Sequence, residues 1–141
     1  MKQIVIINGP NLNLVGIREP QVYGFKSLDG YLNDLRLRES DIDLIVKQTN
    51  VEGEIINLLH EFGFTADGIV LNPGGYAHTS VAIADAIKSI SKPVIEVHIT
   101  NVSAREPYRH TLLTGSACVG ILSGFGLDVY EMAVNYFKNK E

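Results

Sequence analysis

The sequence predicts an α/β fold, a three-layer, doubly wound sandwich built on a five-stranded parallel sheet. Three observations predict it. Five short runs rich in β-branched residues are mostly apolar rather than alternating, as in strands covered on both faces. The segments between those runs carry apolar residues at helical spacing. The 141 residues leave room for one core and no second, at roughly 100–200 residues per domain.

The first strand is expected at Ile4–Ile7. Leu28, Leu32 and Leu35 then mark a helix, with Ser27 as its N-cap, before a strand at Leu44–Gln48. Ile55, Leu58, Leu59 and Phe62 mark the second helix, which Gly63 can close. A third strand follows at Gly68–Leu71. Ile83, Ile87 and Ile90 mark the third helix, with Thr79 as N-cap, and Pro93 stops it before a strand at Val94–Ile99. The last strand is Val119–Leu122, and Met132, Ala133, Tyr136 and Phe137 give a closing helix. With no linker, repeat or low-complexity tract, residues 1–141 read as a single domain. Right-handed crossovers put helices on both faces, the flavodoxin-like arrangement, and ligands then sit beyond the carboxyl ends of the strands.

Composition narrows the function classes. Hydrophobic residues make up 45% and charged residues 20%, near the globular averages of about 45–50% and 25%, which speaks against disorder or a fibrous chain. The net charge of −4 lacks the basic excess of a nucleic-acid binder. Cys118 is the one cysteine, so neither a disulfide framework nor a closed zinc cage can form. No apolar run approaches a membrane span, and Met1-Lys2-Gln3-Ile4 leads into a strand without a signal-peptide layout. A cytoplasmic protein without membrane or nucleic-acid partners is expected.

Under this topology the unusual residues gather on one rim. Asn8-Gly9-Pro10-Asn11-Leu12-Asn13 follows the first strand and Asn72-Pro73-Gly74-Gly75-Tyr76-Ala77-His78 the third. The fourth ends in Glu96-Val97-His98-Ile99-Thr100-Asn101, with Arg105 and Arg109 beyond. Glu96 and His98 are two apart in a strand, so both side chains leave one face and can hydrogen-bond, fixing the imidazole tautomer. That suits a general acid. A structural carboxylate–histidine pair and a half-built metal site are the alternatives, the latter without obvious third and fourth ligands. Any one of Asn8, Asn11, Asn13 and Asn72 fits an ordinary turn, but four on one rim are less easily dismissed. Arg105 and Arg109 fit either a solvated face or forks for an anionic carboxylate.

The segment from Gly16 to Gly24, with Pro20 inside it, has the make-up of a hinged lid. Nearby arginines favour a phenolate, so Tyr23 reads either as a base or as a ring packing the loop down. Other chemistries find little support. No Gly-x-Ser-x-Gly elbow or phosphate loop occurs, and Gly124-Phe125-Gly126 lacks the third glycine of a dinucleotide turn. The lysines lie outside the rim motifs, which argues against Schiff-base chemistry. Cys118, beside an apolar strand, reads as a small buried core residue. His60 and His110 have no readable partner.

The run Asn8-Gly9-Pro10-Asn11-Leu12-Asn13-Leu14, then Gly16, Arg18-Glu19-Pro20 and Tyr23-Gly24, resembles the opening signature of the type II 3-dehydroquinate dehydratases. The likeness continues through Asn72-Pro73-Gly74, His78-Thr79-Ser80, Glu96-Val97-His98, Asn101, Ala104-Arg105-Glu106 and Arg109-His110. It implies reversible dehydration of 3-dehydroquinate to 3-dehydroshikimate in the shikimate pathway, an anti elimination through an enolate that uses no metal or organic cofactor. By the same resemblance Tyr23 is the base, held as phenolate by Arg18 with Arg109. His98, oriented by Glu96, is the acid, and Asn11 holds a water on the enolate oxygen. Asn72, His78 and Arg109 then grip substrate hydroxyls, while Thr100 and neighbouring backbone N–H groups, Ile99 included, bind the carboxylate. Arg105 matches a lid arginine. Asp85, in the third helix, matches an aspartate that reaches a neighbouring subunit's site in a homododecamer built from trimers.

Three departures from the family pattern stand out. Thr100 replaces a usual serine and adds a methyl group, Ser103 replaces a common histidine, and Gly75 and Ala77 replace alanine and threonine. None removes a proposed catalytic group. Two competing readings use the same residues. A non-catalytic module holding a small polyhydroxy acid or a nucleotide would show no turnover for Tyr23→Phe to abolish, and a metal-assisted lyase working through Glu96 and His98 would be silenced by a chelator.

Overall fold

The computed structural model describes residues 1–16 and 27–141. Its strands are β1 (Lys2–Asn8), β2 (Ile42–Gln48), β3 (Gly68–Asn72), β4 (Val94–His98) and β5 (Gly120–Ser123). The helices are α1 (Leu28–Arg38), α2 (Glu52–Phe62), α3 (Val81–Ser89) and α4 (Asp128–Asn139). The sheet runs β2-β1-β3-β4-β5 with every pairing parallel. This is the flavodoxin-like strand order, whose switch point lies between β1 and β3.

Alternation along the central strand builds both layers. Ile4 and Ile6 of β1 pack with Leu32 and Leu35 of α1 and Val134 and Phe137 of α4. Val5 and Ile7 face the other way, onto Ile55 and Leu59 of α2 and Ile83 and Ile87 of α3. All four β1 side chains are fully buried, each worth about 1.5–3 kcal/mol relative to exposure. Among the described residues no helix is long and apolar enough to cross a membrane.

Most expected boundaries hold within a residue or two. The Ser27 hydroxyl accepts from Gly30 N at 3.1 Å, and Gly63 closes α2 with its N–H on Leu59 O. The N-cap of α3 is Ser80 rather than Thr79. Thr79 ends the 3-10 turn Gly74–His78, whereas Ser80 takes the extended backbone a cap needs, and its hydroxyl accepts from Ile83 N at 2.9 Å. Strand β4 stops at His98, short of the expected Ile99, whose carbonyl accepts instead from Gly126 beyond β5.

The last strand departs from the expectation of cover on both faces. β5 is an edge strand, and Ile121 and the preceding Val119 are 40% and 61% exposed. Met132 and Tyr136 of α4 overhang this edge and stay exposed, while Val129, Tyr130, Ala133, Val134 and Phe137 form the buried face. An apolar groove of about 300 Å³ runs between the two elements. Cys118 is half-buried rather than buried, packed against the α2–α3 side of the core.

Candidate active site

Asn8 and Asn72 are partners in the β1–β3 register at the switch point. Beyond them the two loops interlock. Gly9 N donates to Asn72 O at 2.8 Å, and a Cβ on Gly9 would lie 2.7 Å from Pro73 O, so only glycine permits this crossing. Gly74 has a φ of +60° beside Pro10. Asn11 also takes the left-handed region, at φ 70°, with its N–H on Asn50 Oδ1 at 3.0 Å. Gln48 Nε2 ties Asn50 Oδ1 to Gly9 O, at 3.1 and 3.2 Å. This polar brace holds a non-glycine residue in a sparsely populated conformation, a kind of strain that gathers at functional sites.

Below the rim lie two buried polar clusters on opposite faces of the sheet. On the face of α4, the Tyr130 hydroxyl donates to Asn8 Oδ1 at 2.7 Å and accepts from Asn72 Nδ2 at 2.9 Å. Burial pushes the Tyr130 phenol above its usual range, so it stays a neutral donor. On the α3 face, His98 Nε2 lies 2.7 Å from Glu96 Oε2, and the Thr114 hydroxyl donates to Glu96 Oε1. Glu96 and Thr114 are fully buried and His98 nearly so. A carboxylate can only accept, so Nε2 carries a proton. The Nδ1 atom makes no hydrogen bond to another described residue.

His98 opens onto a pocket of about 140 Å³ beyond the carboxyl ends of β1, β3 and β4. An apolar cavity of similar size holds a six-membered ring. Asn11, Asn72, His78, Thr100 and Arg109 line it with His98, and Ile99 contributes to its wall. His78 Nδ1 donates to Thr111 O at 3.0 Å, so its Nε2 is the ring nitrogen left for a ligand. The two imidazoles face each other with centroids 6.3 Å apart. Arg109 Nε donates to Glu106 Oε2 at 2.6 Å, and this hydrogen bond holds the Glu106 carboxyl below the usual carboxylate range. Two imidazoles, an arginine and two side-chain amides suit a small polyhydroxylated anion.

The residues expected at the site are thus largely brought together. Glu96 stands behind His98 rather than in the wall, and Arg105 Nη1 lies 3.4 Å from the Thr100 hydroxyl. Asp85 is exposed on α3, away from the pocket lining. Tyr23 and Arg18 lie outside the described residues, as does the body of the expected lid. A Cβ at Gly75 would meet nothing within 4 Å, so the glycine leaves extra room in the pocket. Among the described residues no three His, Cys, Asp or Glu side chains converge where they could hold a metal ion.

Sequence reading missed Thr114, Tyr130, Gln48 and Asn50. Tyr130 carried a usable signal, since a tyrosine on the inward stripe of a helix needs a partner for its hydroxyl. Thr114 sits in an irregular loop and carried none.

Comparison with known proteins agrees with this geometry. Residues 2–138 match the family model for class II dehydroquinases. A 3-dehydroquinate dehydratase from Exiguobacterium sp. is 50% identical over 134 residues, covering 94% of this chain and 92% of its own. One from Clostridium perfringens is 47% identical over 141 residues, covering 98% of each chain. The crystal structure of the type II dehydroquinase from Butyrivibrio crossotus superposes with a TM-score of 0.92 at 43% identity, covering 98% of both chains. The chain belongs to the class II dehydroquinase family.

Proposed function

We propose that this enzyme dehydrates 3-dehydroquinate to 3-dehydroshikimate, reversibly, by anti elimination through an enolate, with His98 as the acid that releases water. The observation that carries this reading is the buried Glu96–His98 pair, whose imidazole opens onto a pocket lined by Asn72, His78 and Arg109. Tyr23, kept as phenolate by the positive charge of Arg18, removes the proton α to the ketone. The C–H electron pair passes into the enolate, whose oxygen is stabilised by a water held on Asn11. As the enolate collapses, the β C–O bond breaks and His98 protonates the leaving hydroxyl, with Glu96 balancing the charge of the doubly protonated ring before transfer.

Binding falls to the rest of the rim. Asn72, His78 and Arg109 hold hydroxyls, the backbone N–H groups of Ile99 and Thr100 with the Thr100 hydroxyl hold the carboxylate, and Arg105 closes over the site. The chemistry uses no metal or organic cofactor, and the enzyme works in the cytoplasm. Subunits assemble as a homododecamer of trimers in which Asp85 reaches a neighbouring site. The exposed position of Asp85 and the apolar groove along β5 support self-association.

The test follows the ultraviolet absorbance of the conjugated enone after mixing protein with 3-dehydroquinate. Absorbance should rise with the wild-type and chelator-treated proteins and stay flat with Tyr23→Phe. Folded wild-type protein that forms no enone would defeat the activity, and loss of turnover on chelation would transfer the Glu96–His98 pair to metal chemistry. Sedimentation as a stable monomer would remove the dodecamer and the role of Asp85.

A further inference from the structure

We infer that Tyr130, in the core behind the pocket, is a positioning residue that fixes the polarity of Asn72, making it a donor and not an acceptor toward the substrate. The inference rests on the proposed grip of Asn72 on a substrate hydroxyl. A phenol has one hydrogen. Tyr130 spends it on Asn8 Oδ1 at 2.7 Å, so toward Asn72 it can only accept, and the group it meets there at 2.9 Å must be the NH₂ side of the amide. The other end of the amide agrees, because Gly74 N–H points at Asn72 Oδ1 at 3.2 Å.

Turning the amide over would set its NH₂ against the Gly74 N–H and its oxygen against a hydroxyl whose hydrogen is already used. The mismatch at Tyr130 would fall on a fully buried hydroxyl, where an unmet hydrogen bond is costly, and the one at Gly74 on a half-buried N–H. Asn72 is therefore locked, with its carbonyl engaged by the backbone and one Nδ2 hydrogen engaged by Tyr130. The second Nδ2 hydrogen has no acceptor among the described residues and belongs to a side chain that lines the pocket. It seeks an oxygen lone pair, so a hydroxyl or carbonyl oxygen fits opposite Asn72 and an ammonium group does not.

Tyr130 itself is 0% exposed and does not line the pocket, so it reaches the substrate only through Asn72. Its effect should thus disappear when Asn72 is gone. The test measures kcat and KM on 3-dehydroquinate for Tyr130→Phe, Asn72→Ala and the double variant, with circular dichroism to confirm folding. Tyr130→Phe should raise KM about three- to tenfold, the worth of one neutral hydrogen bond, with a smaller change in kcat. In the Asn72→Ala background it should add nothing to KM.

Asn8→Ala approaches from the other side, because it frees the phenol hydrogen, removes the lock without touching the ring, and should give the same KM rise. It carries the test should Tyr130→Phe fail to fold. A KM rise from Tyr130→Phe that persists in full without Asn72, or an unchanged KM in both folded Tyr130→Phe and Asn8→Ala, overturns the inference. If Asn72→Ala alone leaves KM unchanged, the proposed grip of Asn72 fails and the role of Tyr130 falls with it, whereas absence of enone from the wild-type protein defeats the activity itself.

Discussion

The clusters Asn8–Tyr130–Asn72 and Thr114–Glu96–His98 sit at the same end of the sheet, on opposite faces, and differ in charge. The first is neutral, so burying it costs only matched hydrogen bonds, and the Tyr130 hydroxyl meets a fitting acceptor in Asn8 and a fitting donor in Asn72. The second contains a fully buried carboxylate. Desolvating a carboxylate costs several kcal/mol, which pairing does not always recover, and such pairs can often be replaced by apolar residues without loss of stability. A neutral cluster is enough to aim a side chain. The ionic one makes physical sense where a proton has to move, and His98 is the member that faces the pocket.

Breaking the ionic cluster should have the largest consequence. His98→Gln keeps a polar side chain but loses the transferable proton, and kcat should fall about 10²- to 10⁴-fold with circular dichroism unchanged. Thr114→Val preserves shape while leaving Glu96 Oε1 without its donor, so stability should drop by about 1–3 kcal/mol, read as a lower Tm and denaturant midpoint. Thr114→Ser should restore both. A Thr114→Val protein as stable as wild type would mean that the hydroxyl does not hold the carboxylate.

Cys118 offers a reporter of the charge on Glu96. Its thiol is pushed up to about 12, first by burial and then by the Glu96 carboxylate, and its Sγ donates to Thr114 O at 3.4 Å. Far less thiolate is then present than for an ordinary cysteine, so alkylation at pH 8 should be slow in the folded protein and fast after unfolding. Glu96→Gln should speed alkylation while the fold persists, since one of the two causes is removed. An unchanged alkylation rate would argue that Glu96 carries no charge.

The smallest effect belongs to the surface pair of Glu106 and Arg109. Its folded-state carboxyl is depressed, so any contribution to stability is present above the unfolded carboxyl value and is lost as pH falls through the lower folded one. Exposure and salt screening leave little of it. Glu106→Gln should therefore leave Tm at pH 7 unchanged, and a clear loss would place this pair among the structural elements rather than at the pocket mouth.

Much of this was legible in the sequence, for physical reasons. Period-two pairing put Glu96 and His98 on one face, and apolar runs between helical segments gave the sheet and the rim where ligands bind. Legibility ended where contacts are long-range. Tyr130 meets Asn8 and Asn72 only because α4 packs back over β1 and β3, and Thr114 reaches Glu96 from an irregular loop with no period to read. The exposure of Met132 and Tyr136 was hidden for a related reason. Helical spacing shows which side of α4 is apolar, but not that the sheet ends at β5 beneath it.

The proposed division between a proton-moving floor and a ligand-holding mouth is tested most directly by kcat and KM for His98→Gln and Arg109→Lys, measured side by side from enone absorbance. His98→Gln should lose kcat with KM within a few-fold of wild type, and Arg109→Lys should raise KM with a smaller change in kcat. If His98→Gln instead retains kcat and loses only affinity, His98 is a binding group, and the proton reaches the leaving hydroxyl from elsewhere.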